Sequence, residues 1–249
     1  MNRVKFLGYE ISVFSFDNAL DYALELEMQD NVSQIVTINP EMIDCANRDG
    51  EFSKILQNAE VLLPDGIGVT AGLKILGYNT ERIAGIDFAW KMLELSAKNN
   101  LPIAIIGSKP EVIKKTKENL LEKIANLNIV YSHDGYFNDD NAILEELKCS
   151  SPRLILVALG SPKQEKFIYK AKSILPFGLM IGVGGSFDVW SGMIKRAPAI
   201  YQKCGLEWLY RTVKQPERFY RIFPTMPLFI LKVLKERIIR EVYKFYREK

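Results

Sequence analysis

Two stretches hold the residues best suited to chemistry: Ala158-Leu-Gly-Ser-Pro-Lys-Gln-Glu-Lys-Phe167, and Gly182-Val-Gly-Gly-Ser-Phe-Asp188 with its continuation to Pro198. Each follows an aliphatic run, Leu154 to Leu159 and Leu179 to Val183, of the kind that forms a strand buried on both faces. Glycine turns at strand ends let backbone N–H groups approach an anion, and a helix start beside them favours negative charge. In an open parallel sheet, ligands bind in the crevice beyond the carboxyl ends of the strands. A phosphorylated ligand is therefore expected.

Asp65, in Leu62-Leu-Pro-Asp-Gly-Ile-Gly-Val-Thr-Ala71, follows an apolar strand and precedes a flexible turn. A carboxylate at the mouth of a low-dielectric crevice has its pKa raised towards the working range of a general base. An Asp in that position also makes a turn or a helix N-cap, and the residues alone leave both readings open. Gly66-Ile-Gly68-Val-Thr-Ala71, with Asp87 about twenty residues on, is in addition a loose match to a dinucleotide fingerprint. Against it, Asp65 would set negative charge beside a pyrophosphate.

No Asp-x-Asp pair and no zinc-type Cys or His spacing occurs in the chain, so no tightly held metal and no cofactor is signalled. Charge on a bound phosphate would then be met by glycine-turn amides, by Lys163 and by basic side chains near the C-terminus. Gln164 offers a donor and an acceptor to a sugar or base edge. Trp190 reads as core, and the single His133 as part of a turn.

The elements that would position these groups alternate strand and helix, the pattern of an α/β, Rossmann-like, mainly parallel sheet flanked by helices. Strands are expected at Gln34 to Thr37, Glu60 to Leu63, Ile103 to Ile106, Asn128 to Tyr131, Leu154 to Leu159 and Leu179 to Val183. Asn39-Pro40-Glu41 reads as N-cap, first helical position and acidic first turn, and Lys109-Pro110-Glu111 repeats the pattern. Thr37 and Asn39, Asp65 and Gly66, Gly107 and Ser108, Gly160 to Gln164, and Gly184, Gly185 and Asp188 then all lie just past strands, on one rim.

Composition sets the frame. At 249 residues and 48% hydrophobic, the chain can bury one large core. Cys45, Cys149 and Cys204 show no close pairing, which suits a reducing compartment. Met1 to Phe6 lacks the apolar core of a secretory signal, so a cytoplasmic body is expected. From Lys195 onward, fourteen Lys and Arg face five Glu, whereas nineteen face twenty-five acids before it. The reading is a core over residues 1–194 and a basic helical appendage over 195–249. The least polar window of the appendage, Ile222 to Leu231, contains Pro224 and Pro227 and falls short of the ~20 residues of a membrane span.

Within the appendage, Arg211, Lys214, Arg218 and Arg221 would share a face if the helix ran through Pro216, and could grip a diphosphate. Leu231, Leu234, Ile238, Val242 and Phe245 then recur at helical spacing, flanked by Lys and Arg. Such a basic amphipathic helix can lie on an anionic membrane surface, pack on the domain, or pair with a second copy in a homo-oligomer. No nucleic-acid module is visible.

Thr37-Ile-Asn39, Leu63-Pro-Asp-Gly66, Gly160-Ser-Pro-Lys-Gln-Glu165, Gly182-Val-Gly-Gly-Ser-Phe-Asp188, Arg196-Ala-Pro198 and Gly205-Leu-Glu-Trp-Leu-Tyr-Arg211, in this order, resemble the motifs of the WecG/TagA/CpsF glycosyltransferases from about Lys5 to Arg221. The resemblance implies a metal-independent, inverting transferase that moves a sugar from a UDP-sugar to a polyprenyl-diphosphate-linked sugar. It implies action at the inner face of the cytoplasmic membrane, as a peripheral protein. Best-known members add N-acetylmannosamine to lipid-linked N-acetylglucosamine in wall teichoic acid linkage-unit assembly. Position by position, the resemblance makes Asp65 the base, with Thr37, Asn39, Arg82 and Gln164 in the pocket and Arg211, Arg218 and Arg221 supplied by the appendage. The donor could equally be the uronic acid of that sugar, glucose or another hexose. Two other classes stay in play, a nucleotide-sugar or lipid-diphosphate binding regulator and a dinucleotide oxidoreductase.

Overall fold

The computed structural model describes residues 2–214 and 219–247. Six strands form one all-parallel sheet: β3 (Val32–Ile38), β4 (Val61–Pro64), β5 (Pro102–Gly107), β6 (Asn128–His133), β7 (Leu154–Ala158) and β8 (Gly178–Gly182), in spatial order β4-β3-β8-β7-β5-β6. The expected α/β fold is thus present, and all six expected strands are in it, with ends differing by up to two residues. β7 and β8 are buried at every position, as strands covered on both faces must be.

Alternation along the strands divides the core. Ile35, Leu63, Ile105, Leu156 and Ile181 face one side, where α1 (Phe16–Glu27), α5 (Gly85–Lys98) and α6 (Pro110–Lys123) cover them together with Phe187 and Trp190. Val36, Ile38 and Leu62 face the other side, against α2 (Pro40–Ala46), α3 (Gly50–Gln57) and α4 (Gly66–Ile75). Farther along that side, Ala104, Ile106 and Val157 pack against α7 (Asp140–Ser150) and α8 (Lys163–Ala171). Asn39 and Pro40 start α2 as expected, the Asn39 Oδ1 accepting from the Met42 N–H at 3.0 Å.

An antiparallel hairpin, β1 (Asn2–Phe6) and β2 (Tyr9–Val13), precedes the sheet and was not expected. Leu7 and Gly8, both at positive φ, make its two-residue turn. Phe6, Tyr9 and Ile11 are its buried side.

The chain ends in α9 (Ser186–Trp190), α10 (Ala199–Lys203), α11 (Glu207–Lys214) and α12 (Phe219–Arg247). Phe229 and Val233 of α12 are buried with Phe6, Val69 and Leu73. The Leu7 N–H donates to Glu236 at 2.7 Å, and Arg240 reaches the Tyr78 hydroxyl at 3.0 Å. The apolar stripe expected on this helix faces outward, Leu231 being 61% and Ile238 64% exposed. No helix among the described residues is long and apolar enough to cross a membrane.

One buried acid makes stability depend on pH. Glu27 of α1 is fully buried, accepts a 2.7 Å hydrogen bond from Ser96, and has its other oxygen unpartnered. Burial pushes its pKa up to about 7, against small opposing effects of the Ser96 hydroxyl and Arg153. A carboxyl whose pKa is raised on folding stabilises fully below its unfolded pKa, and that contribution is lost as pH rises through the folded value. Glu27→Gln should therefore match the native protein in urea unfolding near pH 4.5 and exceed its stability by up to about 3 kcal/mol at pH 8.5.

Candidate functional site

Parallel strands put all six carboxyl ends on one rim, and the strand order, which the sequence left open, now fixes the neighbours. Asp65 follows β4, Asn39 follows β3, Gly184 lies past β8, Gly160 past β7 and Ser108 past β5. At roughly 4.8 Å per strand, the Asp65 and Gly184 loops are about 10 Å apart and the Asp65 and Gly160 loops about 14 Å. The helix after β3 leaves on one face of the sheet and the helix after β8 on the other, so a crevice opens between Asn39 and Gly184.

Asp65 is both an N-cap and a rim carboxylate. Its N–H donates to the Ile38 carbonyl at 2.9 Å, continuing the β3 pairing and fixing where the side chain emerges. Oδ1 accepts from the Gly66 N–H at 2.6 Å and Oδ2 from the Gly85 N–H at 3.4 Å. Desolvation raises its pKa, the nearby Arg82 guanidinium and the two amides oppose that rise, and Glu207 adds to it. A carboxyl so placed can take a proton at a pH above the ordinary Asp range.

Glycines bring the neighbours close. A Cβ on Gly85 would sit 2.7 Å from Thr37 Oγ1, so Thr37 lies against the same backbone that donates to Asp65. A Cβ on Gly68 would sit 2.6 Å from the Pro40 ring, so the starts of α2 and α4 meet, and Asn39 and Asp65 cap adjacent helices. Thr37, Asn39, Asp65 and Gly66 form one cluster. Arg82 joins it through the Asp65 charge and through a 3.4 Å contact with Glu207 at the start of α11.

The second cluster is held by Gln164. Its Oε1 accepts from the Gly184 N–H at 3.0 Å, and its Nε2 donates to Glu165 at 2.7 Å, so one buried amide staples the β7 and β8 loops. Glu165 is buried, and desolvation pushes its carboxyl pKa up. Gly107, at φ +117°, passes so close to Ala158 that a Cβ would meet its carbonyl oxygen at 2.4 Å, and the Ser108 N–H donates to that carbonyl. Asp188 lies in α9 beneath Gly185. Gly182→Ala would set a methyl 2.4 Å from Gln164 Nε2. Displacing the staple should lower the stability of the protein by about 1–3 kcal/mol, seen as a lower midpoint in urea unfolding, because overpacking forces side chains and backbone to shift.

One reading of the sequence changes. Asp87 does not stand at a strand end to receive a ribose; it lies in the first turn of α5, gripped by both Arg196 terminal nitrogens at 2.6 and 2.7 Å. The dinucleotide reading therefore fails. The shared face of Arg211, Lys214, Arg218 and Arg221 depends on a helix running through residues 215–218, which lie outside the described residues. Arg218 lies outside the described residues, as do the side chains of Arg211 and Arg221.

Sequence reasoning did not single out Gly85, Glu165 or Glu207 as functional. Gly85 has no side chain to attract notice, and Glu207 gains its meaning from a contact across 125 residues.

The family model described as "Glycosyl transferase WecG/TagA/CpsF family" matches residues 4–242. Two relatives carry the same name, N-acetylglucosaminyldiphosphoundecaprenol N-acetyl-beta-D-mannosaminyltransferase. The protein from Bacillus subtilis (strain 168) is 34% identical over 219 residues, covering 87% of this chain and 85% of its own. That from Bacillus spizizenii is 33% identical over 236 residues, covering 94% and 90%. A parallel sheet with a carboxylate and glycine loops on one rim, matched over nearly its whole length, makes this chain a glycosyltransferase that belongs to the WecG/TagA/CpsF family.

Proposed function

We propose that the protein transfers N-acetylmannosamine from a UDP-sugar to polyprenyl-diphosphate-linked N-acetylglucosamine, with inversion, in the assembly of a teichoic acid linkage unit. The names of its two relatives support the sugar and the lipid-linked acceptor. The observation that carries the chemistry is the desolvated Asp65 carboxyl beside Thr37 and Arg82 on the rim.

In this reading Asp65 accepts the proton of the acceptor hydroxyl as that oxygen attacks the anomeric carbon. The bond from that carbon to the diphosphate oxygen breaks on the opposite side, and the electron pair leaves with UDP. Thr37 and Asn39 orient the sugars. The amides around Gly66, Gly107, Ser108, Gly160, Gly184 and Gly185, with Asp188 and the Gln164 staple shaping their loops, receive the donor. Arg211, Arg218 and Arg221 meet the charge on the departing diphosphate, so residues 195–249 act as a lid that also excludes water. The outward apolar side of α12 rests on the inner face of the cytoplasmic membrane, where the acceptor lies.

Incubating the full chain with a panel of UDP-sugars and a short-chain lipid-diphosphate acceptor tests this reading. UDP release that depends on acceptor, fastest with UDP-N-acetylmannosamine, is the expected result. Fastest release with the uronic acid or UDP-glucose would reassign the donor, and no acceptor-dependent release with any donor would leave a binding protein.

A further inference from the structure

Charges alternate along a line that leaves Asp65 and crosses into the C-terminal segment. Arg82 Nη2 contacts Glu207 Oε1 at 3.4 Å, Arg196 Nε contacts Glu207 Oε2 at 3.4 Å, and Arg196 forks onto Asp87 at 2.6 and 2.7 Å. Glu207 is the hinge of this line, since both its oxygens are used and its side chain is only 13% exposed. The backbone beside it runs next to the same guanidinium, since a Cβ on Gly205 would stand 3.4 Å from Arg82 Nη1.

We infer that Glu207 is a positioning residue: from the start of α11 it draws the Arg82 guanidinium to itself in competition with Asp65, and so ties the seating of residues 205–214 to the state of that carboxylate. Among the described residues, two charged side chains act on Asp65, Arg82 from the loop before α5 and Glu207 from α11, in opposite senses. Arg196 and Asp87 stand one and two steps behind. With the segment seated, Glu207 draws on Arg82 and adds its own negative field, and both effects make Asp65 hold a proton more strongly. With the segment lifted, Arg82 faces Asp65 alone and the carboxylate is a weaker base. Proton acceptance at Asp65 is thereby strongest only when residues 205–214 are in place. The catalytic consequence rests on Asp65 being the base; the coupling itself does not.

The test is a pH titration of full-length protein labelled with carbon-13 at the Asp side-chain carboxyls, the Asp65→Asn spectrum assigning the Asp65 resonance, beside the pH dependence of kcat. Glu207→Gln should lower the Asp65 midpoint by at least half a pH unit and carry the acid limb of kcat with it. Glu207→Asp, which keeps the charge on a shorter stem, should give a smaller fall. Arg196→Gln should move the midpoint upward, by removing the cation that offsets Glu207, whereas simple loosening of the segment would move all three variants alike. An Asp65 midpoint unmoved in Glu207→Gln, or in Glu207→Asp and Arg196→Gln should that variant not fold, would overturn the inference. A resonance that moves while the acid limb stays fixed would uphold the coupling and remove Asp65 as the base.

Discussion

Asp65→Asn should lower kcat by about 10²–10⁴-fold, the usual contribution of a positioned general base, while leaving the fold intact. The fold is spared because Asn caps helices as well as Asp, and the amide oxygen can still accept from the Gly66 N–H that Asp65 now takes at 2.6 Å. What the amide loses is the ability to accept a proton. It also turns an N–H₂ group towards the Gly85 N–H or Arg82, so small changes in donor affinity are expected, within about threefold or ~0.7 kcal/mol. In native protein the rate should fall on acidification with a midpoint above the ordinary Asp value, because desolvation raises this carboxyl. That limb should vanish in the variant. Near-native kcat from well-folded Asp65→Asn would remove Asp65 as the base and return it to helix capping alone.

The strands were legible because burial on both faces leaves little choice of residue: Leu154 to Leu159 and Leu179 to Val183 are almost wholly aliphatic. The N-terminal hairpin was hidden by the opposite circumstance. Its outward residues, among them Arg3, Lys5 and Glu10, are charged, and the inward Phe6, Tyr9 and Ile11 find their partners far along the chain, in one cluster with Val36 and Leu62 of the sheet, α4 and α12. Strand order was not legible, since it is set by crossovers such as that from β4 to β5, which passes beneath three intervening strands. The rim residues could be read because a strand end followed by Gly, Asn or Asp is a local pattern. Glu165 and the line from Arg82 to Asp87 could not, because their meaning lies in which distant side chain each meets. The stripe on α12 shows the limit of periodicity: Leu231, Leu234 and Ile238 do share a face, but the pair that meets the core is Phe229 and Val233.

That division of α12 predicts two separable losses. Phe229 is buried against Phe6, with ring centroids 6.0 Å apart, and lies near Gly68, while Val233 touches the Gly72 position, so this turn of helix completes the packing over α4. Phe229→Ala should cost about 3–5 kcal/mol, because a large buried ring is removed from a site closed on several sides. For a chain of this size each kcal/mol lowers Tm by about 2–4 °C, so calorimetry should record a fall on the order of 10 °C. Ile238→Asn, on the exposed side, should leave Tm nearly unchanged but reduce flotation with anionic vesicles, and residual flotation should fall further with salt. The contrast bears directly on truncation. Cutting the chain after Ile194 removes Phe229 and Val233 together with the basic segment, and so uncovers Phe6, Val69 and Leu73. Loss of transfer in such a truncation would mix unfolding with loss of the proposed lid, whereas the outward-face substitutions keep the core closed and let the proposed membrane docking be read alone. If Phe229→Ala left Tm unmoved, α12 would not rest on α4 in solution, and the seating of the basic segment on the core would have to be abandoned.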